Sequence, residues 1–338
     1  MTLALSTEYS DLLQKNYKNK YMKKKECTLG IDTSNYTTSA ALFCHEDNMM
    51  YQNRRLLPVE EGKCGLRQSD AVFHHTQQLH IIIDELYRRL DFIPVIKAIG
   101  VSARPRDRID SYMPCFTVGV NIANTLGTVL NIPVFEFSHQ MGHIAAAVYS
   151  ADAGYLYKDK FLAFHVSGGT TEAVIVSPEN DNLVVSDIVG KTLDLHAGQA
   201  IDRIGVKMGL PFPCGKELEK LALQCEKKVS VRPCIKGTDC CLSGLQNICE
   251  KLLAENTDRS ETALTCLMYI EKTIEKMCVA ILDKYGAMPV LFAGGVMSDS
   301  IIREELSKKL DCIFASAELS SDNACGTAVL AYDAFGGI

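Results

Sequence analysis

His139 and His143 stand four residues apart in the run HQMGH, and Ser138 before them suits a helix N-cap. That spacing puts both imidazoles on one helix face, where two neutral ring nitrogens can chelate a divalent metal. The same pattern also fits two partly exposed helix histidines. The zincin pattern requires Glu after the first His, and Gln140 stands there, so a metalloprotease would lack its general base. Three glycine-containing segments offer anion sites. GIDTS at 30–34 and SGGTT at 167–171 combine backbone N–H groups with hydroxyls, and Gly294-Gly295 precedes a helix start. None fits G-x-x-x-x-G-K-[ST] or G-x-G-x-x-G, which disfavours P-loop and Rossmann readings. Asp32, Asp194, Asp202 and Asp322 could complete a site, although helix capping or surface charge is the commoner role for each taken by itself.

These residues need elements to hold them. Residues 28–31 and 37–43 read as strands around a polar turn. Leu79, Ile82, Ile83, Leu86 and Leu90 recur at helical spacing within 74–90. A strand at 95–102, a helix at 121–131 and a strand at 132–137 follow. SGGTT joins strands 161–166 and 172–176 as a hairpin, with a third strand at 183–189. A helix-rich stretch from 193 to 285 stops at Gly286. A strand at 288–293 then leads through Gly294-Gly295 to a helix starting at 298 or 299. Two such sets predict two α/β lobes with a cleft between them.

The 338 residues are 47% apolar and 22% charged, which is ordinary for a globular protein and excludes a disordered or fibrous chain. No run of 18 apolar residues occurs, so no membrane span is expected. The net charge of −6 confines any nucleic-acid contact to a local basic patch. The candidates are lysines 23–25, at the end of a polar segment 1–26 that reads as a flexible basic tail, and Arg104, Arg106 and Arg108. Fourteen cysteines include no C-x-x-C pair, and no export signal precedes them. They read as reduced, buried thiols of a cytoplasmic protein.

In order, the chain carries GIDTS at 30–34, HQMGH at 139–143, VSGGT at 166–170 and DLHAGQAIDRIG at 194–205. LPFPCG at 210–215, LSGLQ at 242–246, FAGGVMSD at 292–299 and SDNACG at 321–326 follow. This ordered set resembles the tRNA threonylcarbamoyl transferase family (TsaD/Gcp, once called O-sialoglycoprotein endopeptidase). The resemblance runs from about residue 29 to about residue 331. It implies an α/β fold of the actin-like ATPase (ASKHA) type, two lobes with a nucleotide and metal cleft between them. The first lobe would be 27–137 plus 315–338, and the second 138–314. His139, His143 and Asp322 match the family's metal ligands. His165 sits where some members place a tyrosine ligand, giving a His-His-His-Asp set suited to iron or zinc. His165, Val166, Ser167, Gly168 and Gly169 match the substrate-phosphate segment. Asp202 and Gly215 match nucleotide contacts, the former on the ribose, with Gly294, Gly295 and Asp299 completing that surface. The nucleotide implied is threonylcarbamoyl-AMP, or ATP or AMP. The implied reaction moves threonylcarbamoyl onto N6 of the adenine next to the tRNA anticodon, with Asp32 or Asp194 taking the proton. Implied partners are tRNA and the proteins of a threonylcarbamoylation complex, with a homodimer also open and no membrane.

The chain departs from the family pattern at several points. It has TSNYTT at 33–38 for T-S-C-D-E-T, and SARPRDR at 102–108 for A-G-P-G-x-x-G. In the D-D-A-A-G-E-A segment Leu195 and Gln199 replace two carboxylates. Thr170 replaces the His of S-G-G-H-T, Asp299 replaces Asn, and Cys214 stands where the family has glycine. Losing two carboxylates should alter metal or proton chemistry. Rival readings are therefore a diverged paralogue that binds or hydrolyses nucleotide, and a scaffold pseudoenzyme. A metalloglycoprotease comes last. The arginine segment is either an anion contact or a solvated turn.

Overall fold

The computed structural model describes residues 23–34, 36–58, 66–108, 110–179, 182–319 and 324–336. The chain divides into two compact units, Met1–Ala146 with Asp322–Ile338, and Ala147–Ser321.

The first unit runs β1 (Lys24–Asp32), β2 (Thr37–Cys44), β3 (Met50–Leu56), α1 (Gln68–Arg88), β4 (Ile93–Arg104), α2 (Phe116–Leu130) and β5 (Val134–Ser138). Helix α3 (His139–Ser150) follows, with the boundary between units inside it, and the closing helix Cys325–Ala334 returns to the first unit. The sheet order is β3-β2-β1-β4-β5, an antiparallel meander extended by two parallel strands. Alternation along β1 decides what covers each face. Cys27, Leu29 and Ile31 enter a core with Leu79, Ile82 and Leu86 of α1 and Val118 and Ala123 of α2. Thr28 and Gly30 face the closing helix, where the Thr28 hydroxyl donates to the Ala328 carbonyl at 2.7 Å. A Cβ on Gly30 would lie 2.2 Å from the Ala324 carbonyl oxygen, and one on Gly100 of β4 would lie 2.0 Å from that of Thr327. Both glycines let the helix press against the strands. Gly30 is therefore a packing residue inside β1, not part of an open turn.

The second unit runs β6 (Phe161–Val166), β7 (Thr171–Glu179), β8 (Asn182–Lys191), α4 (Ala197–Lys207), α5 (Gly215–Ala222), and a short hairpin of β9 (Cys234–Lys236) and β10 (Asp239–Cys241). It continues with α6 (Ser243–Ala254), α7 (Arg259–Tyr285), β11 (Val290–Ala293), α8 (Ser300–Ser307) and β12 (Cys312–Phe314); the closing helix Cys325–Ala334 becomes α9. Its sheet order is β12-β11-β6-β7-β8. Again a three-strand antiparallel meander is extended by two parallel strands, so both sheets follow one plan. Phe164, Val166 and Phe292 join Ile201, Ile204, Ile270 and Ile274 in its core. Gly286, at φ 93°, caps α7 where the sequence predicts a stop.

Some expectations change. Residues 1–22 lie outside the described residues, and β1 already begins at Lys24, short of the predicted end of the tail. Lys23 pairs with Glu46 and Lys25 with Asp47, each at 2.7 Å, and the Lys25 ammonium lies 4.7 Å from the Phe92 ring centroid. Two lysines of the proposed RNA-contacting run thus already have acidic partners. Helix α2 begins at Phe116 rather than 121, because Phe116 and Val118 are buried beside polar Thr117 and small Gly119, which hide the periodicity. All thirteen described cysteines are free thiols. No helix among the described residues is long and apolar enough to cross a membrane.

Candidate functional site

In the first unit the ends of β1 and β4 meet the start of α3. Asp32, 1% exposed, ends β1. Its Oδ1 accepts from the Ser34 N–H at 2.7 Å, and its Oδ2 accepts from the Ser102 hydroxyl at 2.5 Å. The same Oδ2 lies 2.8 Å from His139 Nδ1. Burial pushes this carboxyl upward, but His139, Ser102 and Ser34 outweigh burial and hold it below its usual range. An ionised carboxylate only accepts, so the Nδ1 proton of His139 points at it. In the neutral ring that leaves the Nε2 lone pair aimed away from Asp32. His143 Nε2 lies 3.0 Å from that nitrogen, with ring centroids 4.3 Å apart. Two imidazole nitrogens thus converge, one of them braced by a carboxylate, which is how metal-binding histidines are commonly oriented. This arrangement fits two ligands of a divalent cation. Among the described residues, no group of three His, Cys, Asp or Glu side chains is placed to hold one. Asp322, the expected carboxylate ligand, lies outside the described residues. Buried Ser102 was not legible as a site residue, because only the β1–β4 pairing brings it to Asp32.

In the second unit the glycine segments do come together. The 167–170 turn joins β6 to β7, with the Ser167 N–H donating to the Thr170 carbonyl at 2.7 Å. Gly168 and Gly169 are exposed, and a Cβ on either would meet nothing within 4 Å. A Cβ on Gly198, in the first turn of α4, would lie 2.7 Å from Gly168. The Ser167 carbonyl accepts from the Gly198 N–H at 3.1 Å, and Thr171 Oγ1 accepts from the Ala197 N–H at 2.9 Å. Gly294, at φ +101°, lies against Val166, where a Cβ would stand 2.2 Å from its carbonyl oxygen. Gly295 is open and exposed. The result is an exposed glycine rim at the carboxyl ends of parallel β6 and β11, beside a helix N-terminus. His165 lies between core residues Phe164 and Val166, so its side chain is on the opposite sheet face.

Several expected carboxylates are already committed to local structure. Asp194 Oδ1 accepts from the Leu195 N–H at 2.6 Å and the Leu242 N–H at 2.7 Å, and its Oδ2 accepts from the Ser243 hydroxyl at 2.5 Å. Burial would raise its pKa, but the Ser243 hydroxyl and the N–H groups of Leu242, Leu195 and Ser243 hold it at about 2. A carboxylate held there is a weak proton acceptor, and this one ties 192–195 to the start of α6. Asp299, 7% exposed, caps α8 by accepting from the Ile302 N–H at 3.0 Å, so its carboxyl is taken up inside the fold. Asp202 Oδ1 accepts from the Cys214 N–H at 2.8 Å and fixes the residue before Gly215, which opens α5. Cys214 is buried, and burial raises its thiol pKa. Of the two replaced carboxylates, Leu195 is now a core side chain, while Gln199 is exposed.

With this geometry established, residues 61–329 match the family model described as TsaD, tRNA N6-adenosine threonylcarbamoyltransferase. The chain belongs to the TsaD family. A tRNA N6-adenosine threonylcarbamoyltransferase of Bacillus licheniformis is 28% identical over 331 residues, covering 93% of each chain. Among solved structures, T. kodakarensis HypF superposes with a TM-score of 0.55 at 12% identity. That match covers 94% of this chain but only 48% of HypF. Component A of the Acidaminococcus fermentans (R)-2-hydroxyglutaryl-CoA dehydratase superposes with a TM-score of 0.50 at 15% identity, covering 91% of this chain and 98% of that one. At these identities the structural neighbours speak to fold alone, and the fold is that of the actin-like ATPases. The repeated five-strand plan of the two sheets agrees with it.

Proposed function

We propose that this TsaD-family chain is a metal-dependent acyltransferase that moves threonylcarbamoyl from threonylcarbamoyl-AMP to N6 of the adenine next to the tRNA anticodon. The observation that carries the reading is the convergence of His139 and His143, braced by Asp32. In this reading N6 attacks the carbamoyl carbon, the bond from that carbon to the phosphate oxygen breaks, AMP leaves, and the N6 proton passes to the departing phosphate or to solvent. His139 and His143 would hold a divalent metal, iron or zinc, which would supply Lewis-acid stabilisation of phosphate oxygens. Asp32 holds the His139 ring by Nδ1, and Ser102 and Ser34 fix Asp32 in turn. Asp32 is thus an orienting carboxylate rather than the proton acceptor. Gly168 and Gly169 let phosphate approach the backbone beside the positive end of α4. In this reading the Asp202–Gly215 corner would serve the ribose, and the turn at Gly294 and Gly295 would serve the base.

The test is nucleoside mass spectrometry of tRNA incubated with the chain, threonylcarbamoyl-AMP and the family's partner proteins. Threonylcarbamoyladenosine should appear, and it should vanish with His139→Ala. A second reading has an observation of its own. Leu195 fills a core position where the family has an acid, which favours a paralogue that binds nucleotide without modifying tRNA. AMP binding with no modified nucleoside would sink the first reading and leave the second.

A further inference from the structure

The arginine segment after β4 touches the start of the histidine helix in an unexpected way. Arg104 Nη2 donates to Asp107 Oδ1 at 2.8 Å. Asp107 Oδ2 accepts from the Ser138 hydroxyl at 2.8 Å. The Ser138 oxygen accepts from the Met141 N–H at 3.1 Å, which makes it the N-cap of α3. The Pro105 carbonyl accepts from the neighbouring Gln140 N–H, also at 3.1 Å. Two N–H groups that a helix start leaves open are therefore satisfied, that of Met141 by Ser138, whose hydroxyl Asp107 holds, and that of Gln140 by the segment's Pro105 carbonyl. Ser138 is fully buried, and its hydroxyl is used both as donor and as acceptor. A bulge in the β4–β5 pairing between Ser102 and Arg104 sets the segment off from the strand.

The position of this device matters. His139 is the first residue of α3, and the first turn frays when its cap is lost. His143 lies one turn further on, so fraying would change the 3.0 Å approach of the two Nε2 atoms. Asp32 fixes the His139 ring from one side, and the cap fixes the backbone that carries it. We propose that Arg104, Asp107 and Ser138 form a relay that positions His139 and His143 for a divalent cation. Arg104 holds Asp107, Asp107 orients the Ser138 hydroxyl, and Ser138 sets the first helical turn. All three are positioning residues, and none of them is a ligand. The relay gives Arg104 and Asp107 of SARPRDR a role that needs no external anion, because Arg104 has its partner within the segment. It rests on the metal reading of the histidine pair.

The test is a Co2+ titration of the metal-stripped full chain, read by calorimetry and by the ligand-field absorption band. His139→Ala sets the baseline without the site. Ser138→Ala should weaken binding roughly tenfold, the low end of what loss of an orienting partner does to metal affinity, and should alter the band. Ser138→Thr, which keeps the hydroxyl, should restore both. Asp107→Asn should weaken binding in the same direction and provides a second route should Ser138→Ala fold poorly. If wild type binds, His139→Ala does not, and Ser138→Ala and Asp107→Asn stay within twofold of wild type, the relay is wrong and the metal reading stands. If wild type and His139→Ala are indistinguishable, the metal reading falls and takes the relay with it.

Discussion

Asp299→Asn should stabilise the protein at neutral pH and do little in acid. Asp299 is 7% exposed, and burial pushes its carboxyl from the usual 3.8 to about 6. Glu219 of α5 adds repulsion; it accepts from the Ser300 N–H at 2.8 Å, next to Asp299. From α7 the neighbouring ionisable group is the Cys266 thiol, which supplies no positive charge. Arg303, one turn along α8, turns to the Phe314 ring, 4.9 Å from its centroid. A carboxyl raised in the fold contributes its full stability below about pH 3.8 and loses it as pH rises through about 6. The difference of about two pH units sets a ceiling of about 3 kcal/mol above pH 7. Asn caps a helix about as well as Asp, so the Ile302 bond is kept, but the interaction of a charged carboxylate with the helix dipole is lost. A net gain of ~1–2 kcal/mol remains, or roughly 2–8 °C in Tm for a unit of this size. Thermal unfolding of both forms at pH 4, 5, 6, 7 and 8 is the assay. The gap should be near zero at pH 4, open between pH 4 and 6, and be flat above pH 7. A gap independent of pH, or a less stable Asn form at pH 8, would refute the burial argument.

Asp32→Asn should keep the fold yet weaken divalent-metal binding by about 10–100-fold, since it removes the carboxylate that orients His139; unchanged affinity would mean that Asp32 does not act through that ring. Gly294→Ala should destabilise by at least ~1–2 kcal/mol in urea unfolding, because φ is +101° and the new Cβ would meet the Val166 carbonyl; a wild-type midpoint would count against that packing. Cys27 and Cys44 are directly opposed on β1 and β2 with sulfurs 3.1 Å apart, and the His45 N–H to Glu26 carbonyl bond next to them makes theirs a non-hydrogen-bonded pair. Both thiols are buried, so in mild denaturant diamide should oxidise them to a disulfide with a loss of about 2 Da, raising stability by ~3 kcal/mol, and peptide mapping that finds both thiols free after that treatment would exclude it.

Much of the α/β pattern was readable because alternation and helical spacing are local. The hairpin around SGGTT, the stop at Gly286 and the cap at Ser138 follow from the chemistry of a few neighbouring residues. HQMGH was readable for the same reason, since four-residue spacing on a helix leaves little freedom. Single carboxylates were much harder to read. Asp194 and Asp299 offered themselves for chemistry, and both are occupied by backbone N–H groups at helix starts. Gly30 suggested an open turn, and it instead makes room for α9. The three arginines left an anion contact and a solvated turn equally open, and Arg104 proved to be bound to Asp107.

The sequence alone determined the residue types, the helix and strand periods and the order of motifs, which sufficed for family and fold class. Tertiary structure decided which oxygen faces which nitrogen. Asp32 meets His139 across 107 positions of sequence and Ser102 across 70 because parallel pairing of β1 with β4, and of β4 with β5, carries the three strand ends to one edge. Spacing along the chain fixes contacts only within about one turn of helix or one hairpin; beyond that, the packing of sheets and helices determines which polar groups remain available for chemistry.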